Sequence, residues 1–270
     1  MHNDAAMSSS QFEGPAGRTA LVTGAGTGIG RAIAVALARS GARVALFGRR
    51  PEPLQHVATE IASGDGECLP VPCDITDDRQ LSSALAMASA ALGPVEILVN
   101  NAGMAHSAPI TKVDDVTYDR LMALNVRAVW RLTRAVVPEM KAAGYGRIVN
   151  VASIAAHRGW KYTSLYTASK HAVGGMTRSL AAELAPLGIT VNAVCPGYVD
   201  TAIVEDAARV IADRTGRTEE DARASLASLN PSGRLVTPEE VARAVLMLVG
   251  RGSGSIAGHS MIIDGGGQPV

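Results

Sequence analysis

Between residues 19 and 48 the chain runs apolar, then glycine-rich, then helical, then apolar again, and few folds accept that order. Thr19-Ala20-Leu21-Val22-Thr23 is a short apolar run. Gly24-Ala25-Gly26-Thr27-Gly28-Ile29-Gly30 follows at once, and Arg31 to Ser40 is Ala-rich and helix-forming. Gly41 stops that helix and Arg43-Val44-Ala45-Leu46-Phe47 forms the next strand, which completes a βαβ unit.

The alternation continues with a helix after Pro53, a strand at Cys68 to Pro72, a helix at Asp77 to Leu92 and a strand at Val95 to Asn100. A long helical region, Tyr118 to Ala143, precedes a strand at Arg147 to Val151. A helix running to about Leu187 and a strand at Thr190 to Val194 come next, and Pro196-Gly197 ends that strand. A helix at Pro238 to Val249 and a strand at His259 to Ile263 complete the series. Each strand is a nearly continuous apolar run, as parallel strands covered on both faces by crossover helices require. The expected fold is α/β: a single-domain Rossmann-type doubly wound parallel sheet of about seven strands, with helices on both faces. Residues 1–17, polar and rich in small residues, read as a disordered leader, and residues 18–270 as one domain. Within it, 198–235 has no strand signal and reads as helices in a substrate-loop or lid excursion.

Charge is balanced, 25 basic residues against 25 acidic, with no basic run, so the electrostatic footprint of a nucleic-acid binder is missing. No 18 apolar residues run together and no signal-peptide core precedes Arg18, which points to a cytoplasmic protein without a membrane partner. Cys68, Cys73 and Cys195 form no C-x-x-C pair and the six His show no zinc-ligand spacing, so buried reduced thiols and no metal are expected.

In a doubly wound sheet the first strand-to-helix turn offers backbone N–H groups and a helix N-terminus to a pyrophosphate, and glycines let the two backbones touch. Here the spacing is Gly24-x-x-x-Gly28-x-Gly30, one residue longer between the first two glycines than the common dinucleotide fingerprint. Tyr166 and Lys170 are four apart, hence one turn apart on one helix face. A phenol has an ordinary pKa near ~10, and bringing it to neutrality takes about 4 kcal/mol, which a cation one turn away, helped by a cationic cofactor ring, would supply. A solvated helix face is the plain alternative for that pair.

The longer glycine spacing resembles the short-chain dehydrogenase/reductases, and the likeness covers about residues 18 to 267. Thr23-Gly24-x-x-x-Gly28-x-Gly30 is similar to that family's cofactor motif, Asp74 to its adenine contact, and Asn100-Asn101-Ala102-Gly103 to its turn after the fourth strand. Asn125, Ser153, Tyr166 and Lys170 match its catalytic tetrad, and Pro196-Gly197 with Thr201 match the segment that holds the nicotinamide amide. The resemblance implies cofactor contacts from Gly24, Thr27, Gly28, Ile29, Gly30, Arg49, Asp74, Ile75, Asn101, Ala102, Gly103, Tyr166, Lys170, Pro196, Gly197, Val199 and Thr201. It implies that Ser153 donates to a ketone oxygen, that Tyr166 protonates it, and that Lys170 lowers the Tyr166 pKa and bonds the ribose. Asn125 would hold a water that feeds protons to Lys170. Ser153, Tyr166, Met104, Trp160 and Tyr198 would contact the substrate. Taken singly, Asn125 also reads as a helix interruption, Ser153 as a strand-end cap, Asp74 as a helix cap, and Thr201 as an N-cap.

At the end of the second strand a carboxylate would bind the ribose diol of NAD, but Gly48 stands there, followed by Arg49 and Arg50, which suit a 2′-phosphate. NADP(H) is therefore expected to be preferred, with NAD(H) possible; Thr27 departs from this, because many NADP-dependent members carry a basic residue inside the loop, and Arg49 also reads as a solvated loop residue. A serine hydrolase would need G-x-S-x-G, which does not occur, and a non-catalytic dinucleotide sensor would have lost Tyr or Lys from the tetrad.

Two substrate classes remain, because stretches resemble both 3-hydroxybutyrate dehydrogenases and ketoreductases of carrier- or CoA-linked chains. The hydroxybutyrate enzymes hold a carboxylate with Gln, His and Lys, and the matching positions here are Ala105, Ala155 and Thr163. A ketone or secondary alcohol on a bulky cyclic or aryl skeleton, or a 3-oxoacyl thioester, is expected instead. Met104, Trp160, Tyr162, Tyr198 and Ile203 would line its pocket, with Arg158, Lys161, Arg209 and Arg214 at the rim; the plain alternative is that these basic residues are solvated lid charges and that Lys161 or His157 replaces the clamp. Leu121, Leu124, Val129, Trp130 and Val136 suggest apolar surface beyond what one sheet contact needs, which a dimer or tetramer would bury, and the family resemblance implies a homotetramer.

Overall fold

The seven apolar runs pair into one all-parallel sheet in a computed structural model that describes residues 14–267. The strands are β1 Thr19–Thr23, β2 Arg43–Gly48, β3 Cys68–Pro72, β4 Ile97–Asn100, β5 Gly146–Val151, β6 Ile189–Pro196 and β7 Ser260–Ile263, in spatial order β3-β2-β1-β4-β5-β6-β7. The helices are α1 Gly28–Arg39, α2 Pro51–Ala62, α3 Asp78–Leu92, α4 Asp115–Met122, α5 Ala128–Ala143, α6 Ser164–Leu184, α7 Ala202–Thr215, α8 Glu219–Ala227 and α9 Pro238–Val249.

Period-two alternation divides each strand between two cores. Ala20, Val22, Val149 and Val151 pack with Ile33 and Leu37 of α1 and Val245 and Leu248 of α9. Leu21, Leu98 and Ile148 face the other way, against Leu81 of α3, Leu132 and Val136 of α5, and Leu184 of α6. Burying one such Leu or Val fully contributes about 1.5–3 kcal/mol, and β1, β4, β5 and β6 are buried along their whole length, while the edge strands β3 and β7 are only partly covered.

Several boundaries differ from the sequence reading. Helix α1 begins inside the glycine turn, at Gly28, because glycine N–H groups can open a helix as well as end a strand. Pro51 takes the first position of α2, where a missing N–H is harmless, so α2 starts before Pro53. The long helical region starts at Asp115 and is broken by a π turn at Ala123–Arg127. Strand β4 begins at Ile97, two residues later than read, and β6 runs through Pro196. Of the residues read as a leader, Gly14 to Gly17 lie in a turn from which Gly17 N donates to Gly41 O; residues 1–13 lie outside the described residues. Among the described residues no helix is long and apolar enough to cross a membrane, and no group of three or more His, Cys, Asp or Glu is placed to hold a metal ion.

Candidate active site

The strand order turns back between β1 and β4, and the loops leaving their carboxyl ends border the crevice where such sheets take ligands. The β1–α1 loop is built for close approach. Gly24 and Gly28 have φ of 64° and 53°, and a Cβ on Gly30 would stand 2.1 Å from Gly24 O, so no larger residue fits there. Thr27 is the N-cap residue of α1, yet its side chain makes no capping bond, and the first turn carries no acid. The N–H groups of Gly28, Ile29 and Gly30 thus present an uncapped positive helix end.

Thr23 and Asn101 fasten this loop to the turn after β4. Thr23 Oγ1 accepts from Asn101 N at 3.0 Å and Ala102 N at 2.9 Å, while Asn101 Nδ2 donates to Thr23 O at 2.9 Å. The Asn101 side chain therefore shapes the glycine loop. After β2, Arg49 and Arg50 are exposed and make no ion pair with any described residue. After β3, Asp74 Oδ1 accepts from Thr76 N and Thr76 Oγ1 in a local turn, Ile75 is buried, and Asp77 rather than Asp74 caps α3. A glycine cradle without room for a Cβ, an uncapped helix N-terminus and the lack of a carboxylate at Gly48 together fit a phosphate-bearing dinucleotide.

The four tetrad positions meet beside this crevice. Asn125 lies in the π turn, which rolls it inward until it is 1 % exposed. Its Oδ1 accepts from Met104 N at 2.9 Å; its Nδ2 donates to Met104 O at 2.9 Å and to Ser169 Oγ at 3.1 Å. Ser169 Oγ in turn donates to Tyr166 O at 2.7 Å, so Asn125 braces α6 beneath the phenol. Lys170 Nζ is buried and donates to Val151 O at 3.0 Å, and Gly103 passes above it, where a Cβ would lie 3.7 Å from Nζ. Ser153 follows β5, accepts from Ala155 N at 3.1 Å, and hydrogen-bonds the Tyr166 phenol. The strand-end cap and the site partner are therefore the same hydroxyl.

Burial pushes the Tyr166 phenol above its ordinary range, against the pull of the Ser153 bond, and nearby Tyr198 and Cys195 add to the rise. Burial likewise brings Lys170 down to about 8. The expectation that Lys170 lowers the Tyr166 pKa is thus not met by the chain alone. Both groups lose water, and desolvation favours both neutral forms.

At the mouth, Trp160 is partly buried beneath Arg158, whose guanidinium lies 4.7 Å from the ring centroid, while Lys161 lies over Tyr162 at 4.9 Å. Met104 and Tyr198 are partly buried, whereas Tyr162 and Ile203 are exposed. Arg209 is held by Asp206 at 2.8 Å and approaches Glu219, so it is not an open rim cation. Ala155 is buried, Ala105 is exposed, and the Thr163 hydroxyl is engaged with Trp160 O and Thr167, which leaves none of the three as a free polar clamp. Thr201 is the N-cap residue of α7 by position, but its hydroxyl donates to Val199 O at 3.3 Å and caps nothing. Sequence reasoning missed Ser169, Asn230 and Asp264. Asp264 Oδ1 accepts from Gly266 N and Gly267 N, and its Cβ stands 2.9 Å from where a Cβ on Gly197 would lie. The turn signal Asn230-Pro231-Ser232-Gly233, inside a stretch read only as helical, marked one of the three.

Most of the chain is similar to known proteins. Residues 18–211 match the short chain dehydrogenase family. The chain is 36% identical over 252 residues to the D-beta-hydroxybutyrate dehydrogenase of Rhizobium meliloti (strain 1021), covering 92% of this chain and 98% of that one. It is 37% identical over 250 residues to the cis-4-hydroxycyclohexanecarboxylate dehydrogenase of Sinomonas cyclohexanicum, covering 92% and 96%. A crystal structure of an actinorhodin polyketide ketoreductase with NADPH superposes with a TM-score of 0.89 at 35% identity, covering 93% of this chain and 97% of that one. The chain belongs to the short chain dehydrogenase family, whose members are NAD(P)-binding oxidoreductases acting on CH–OH groups.

Proposed function

We propose that this oxidoreductase interconverts a ketone and a secondary alcohol on a 3-oxoacyl thioester or a bulky cyclic or aryl skeleton, with NADP(H) preferred. The observation that carries this reading is the convergence of Ser153, Tyr166 and the buried Lys170 at a crevice where Ala105, Ala155 and Thr163 offer no free polar clamp for a small carboxylate. Burying an unpaired carboxylate costs several kcal/mol, about enough to exclude a small free acid.

A bound nicotinamide supplies the hydride and a positive ring. In the reductive direction Ser153 Oγ donates to the carbonyl oxygen as charge builds there, and Tyr166 Oη gives that oxygen its proton. Lys170 holds the ribose hydroxyls and returns a proton to Tyr166. The Asn125 side chain is engaged with Met104 and Ser169, and a water held beside it would let protons reach Lys170. Gly24, Gly28, Ile29 and Gly30 hold the pyrophosphate, Arg49 the 2′-phosphate, Asp74 and Ile75 the adenine side, and Pro196 to Thr201 the carboxamide. Residues 198–235 form the substrate lid, and the protein works in the cytoplasm.

A second reading, oxidation of a free 3-hydroxy acid with NAD, is favoured by the Rhizobium relative. Assaying acetoacetate, acetoacetyl-CoA and ring or aryl ketones at equal concentration with both cofactors separates the two. A thioester or bulky ketone with NADPH is expected to give the highest kcat/KM, and a clear advantage for free acetoacetate would overturn the proposal.

A further inference from the structure

Helices α7 and α8 leave the sheet after Tyr198 and return at Asn230, and one side chain ties those two points together. Asn230 is 1 % exposed. Its Oδ1 accepts from Tyr198 N at 3.0 Å, and its Nδ2 donates to Tyr198 O at 2.9 Å and to Arg234 O at 2.8 Å. A side-chain amide thus treats Tyr198 as a neighbouring strand would, taking its N–H and returning one to its C=O. Without Asn230, Tyr198 O keeps its bond from Val236 N at 2.9 Å, but Tyr198 N has no other partner among the described residues.

The fit leaves little slack. A Cβ on Gly197 would stand 2.4 Å from Asn230 Oδ1, so the amide is pressed against the peptide that begins the carboxamide-holding segment. On its other side Asn230 reaches the main chain of Arg234, whose guanidinium makes paired bonds of 2.8 and 2.6 Å to Glu240 in the capping box of α9. The Tyr198 ring packs against the lid cluster of Val204, Ala208 and Leu226. Both faces of the reaction space, the cofactor side at Pro196 to Thr201 and the substrate side at Tyr198, therefore hang from one clamped peptide.

We propose that Asn230 is a positioning residue for the reaction, which holds the Tyr198 peptide so that the carboxamide segment and the Tyr198 ring keep one placement relative to Tyr166. This rests on the ketone-reducing reading of the site. A misplacement of about 1 Å at a reacting centre costs up to a hundredfold in rate, so the clamp is felt in turnover more than in nucleotide affinity, which glycine loop contacts dominate.

The test compares the full-length protein with Asn230→Ala and Asn230→Asp. Hydrogen exchange at the Tyr198 amide reads the clamp, NADPH fluorescence reads nucleotide affinity, and kcat and KM are taken per folded enzyme with the best ketone. In Asn230→Ala, exchange at Tyr198 is expected to accelerate at least about tenfold and kcat to fall roughly tenfold to a hundredfold, with nucleotide Kd within about threefold. Asn230→Asp keeps the acceptor but sets a carboxylate oxygen against two carbonyls, so Tyr198 stays protected while kcat falls. This variant also serves if Asn230→Ala does not fold. Unchanged exchange at Tyr198 in Asn230→Ala overturns the clamp, and unchanged kcat and KM in either folded variant overturn the positioning role. Absence of ketone turnover in the unaltered protein would instead strike the functional reading, which the exchange data do not depend on.

Discussion

Lys170 Nζ stands 5.8 Å from the centroid of the Tyr166 ring and donates to Val151 O, so the ammonium is anchored to β5 rather than to the phenol. Its pKa of about 8 lies below the ordinary 10.5, so between those values the unfolded chain binds the extra proton. Stability of the ligand-free protein therefore rises with pH through that window, and below it the buried charge costs about 3 kcal/mol. Lys170→Met removes that penalty and one hydrogen bond of about 1 kcal/mol. The variant is expected to melt roughly 4 °C higher than the unaltered protein at pH 7. The gap should close near about pH 10 and reverse at higher pH, where Lys170 is increasingly neutral folded or unfolded and only the lost hydrogen bond of about 1 kcal/mol remains. Thermal melts across pH check this, and a gap that does not shrink contradicts the burial argument.

Tyr166→Phe deletes one hydroxyl bonded to Ser153 and leaves the α6 backbone and the Ser169 bond to its carbonyl in place. The fold should persist while turnover falls at least about a hundredfold, the scale of losing a general acid. A folded variant that kept most of its turnover would remove Tyr166 from the chemistry.

Cofactor choice should invert in Gly48→Asp with Arg49→Ala. A Cβ on Gly48 would meet only the Leu54 side chain, at 3.2 Å from Cδ2, 3.6 Å from Cγ and 3.7 Å from Cδ1, so the new carboxylate requires Leu54 to give by a few tenths of an ångström. Relative kcat/KM for NADPH and NADH is the readout. Equal or better values with NADH in the unaltered protein would sink the NADP(H) preference.

Assembly rests on fewer residues than the sequence suggested. Leu121, Val129 and Val136 are buried within the protomer, and Leu124 packs against the same core; Trp130 remains 45% exposed, with Val116 and Tyr118 exposed on the adjoining α4. A homotetramer that covers this face is expected, and Trp130→Glu should weaken it. Light scattering at micromolar concentration decides the matter, and a monomer there refutes it.

The order of elements was legible from residue types because strand, turn and helix signals are local. Apolar runs of parallel strands, the glycines of the first turn and the four-residue spacing of Tyr166 and Lys170 each depend on neighbours within one turn or one strand. Asn125 read as a helix interruption, but the π turn that rolls it inward was not legible, since its register depends on hydrogen bonds to Met104 and Ser169, which lie far away in the chain.

Residue chemistry by itself determined which groups exist: a phenol, an amine, a hydroxyl, an amide and a glycine loop in a doubly wound sheet. Tertiary structure decided what each group feels. Burial raises the Tyr166 pKa and lowers that of Lys170, reversing the effect expected from their spacing alone. Asn101, Asn125 and Asn230 became braces of the main chain because their partners, Thr23, Met104 and Tyr198, lie far away in the chain and close in space. Desolvation and long-range hydrogen bonds are properties of the folded chain, and residue order carries them only through the packing it produces.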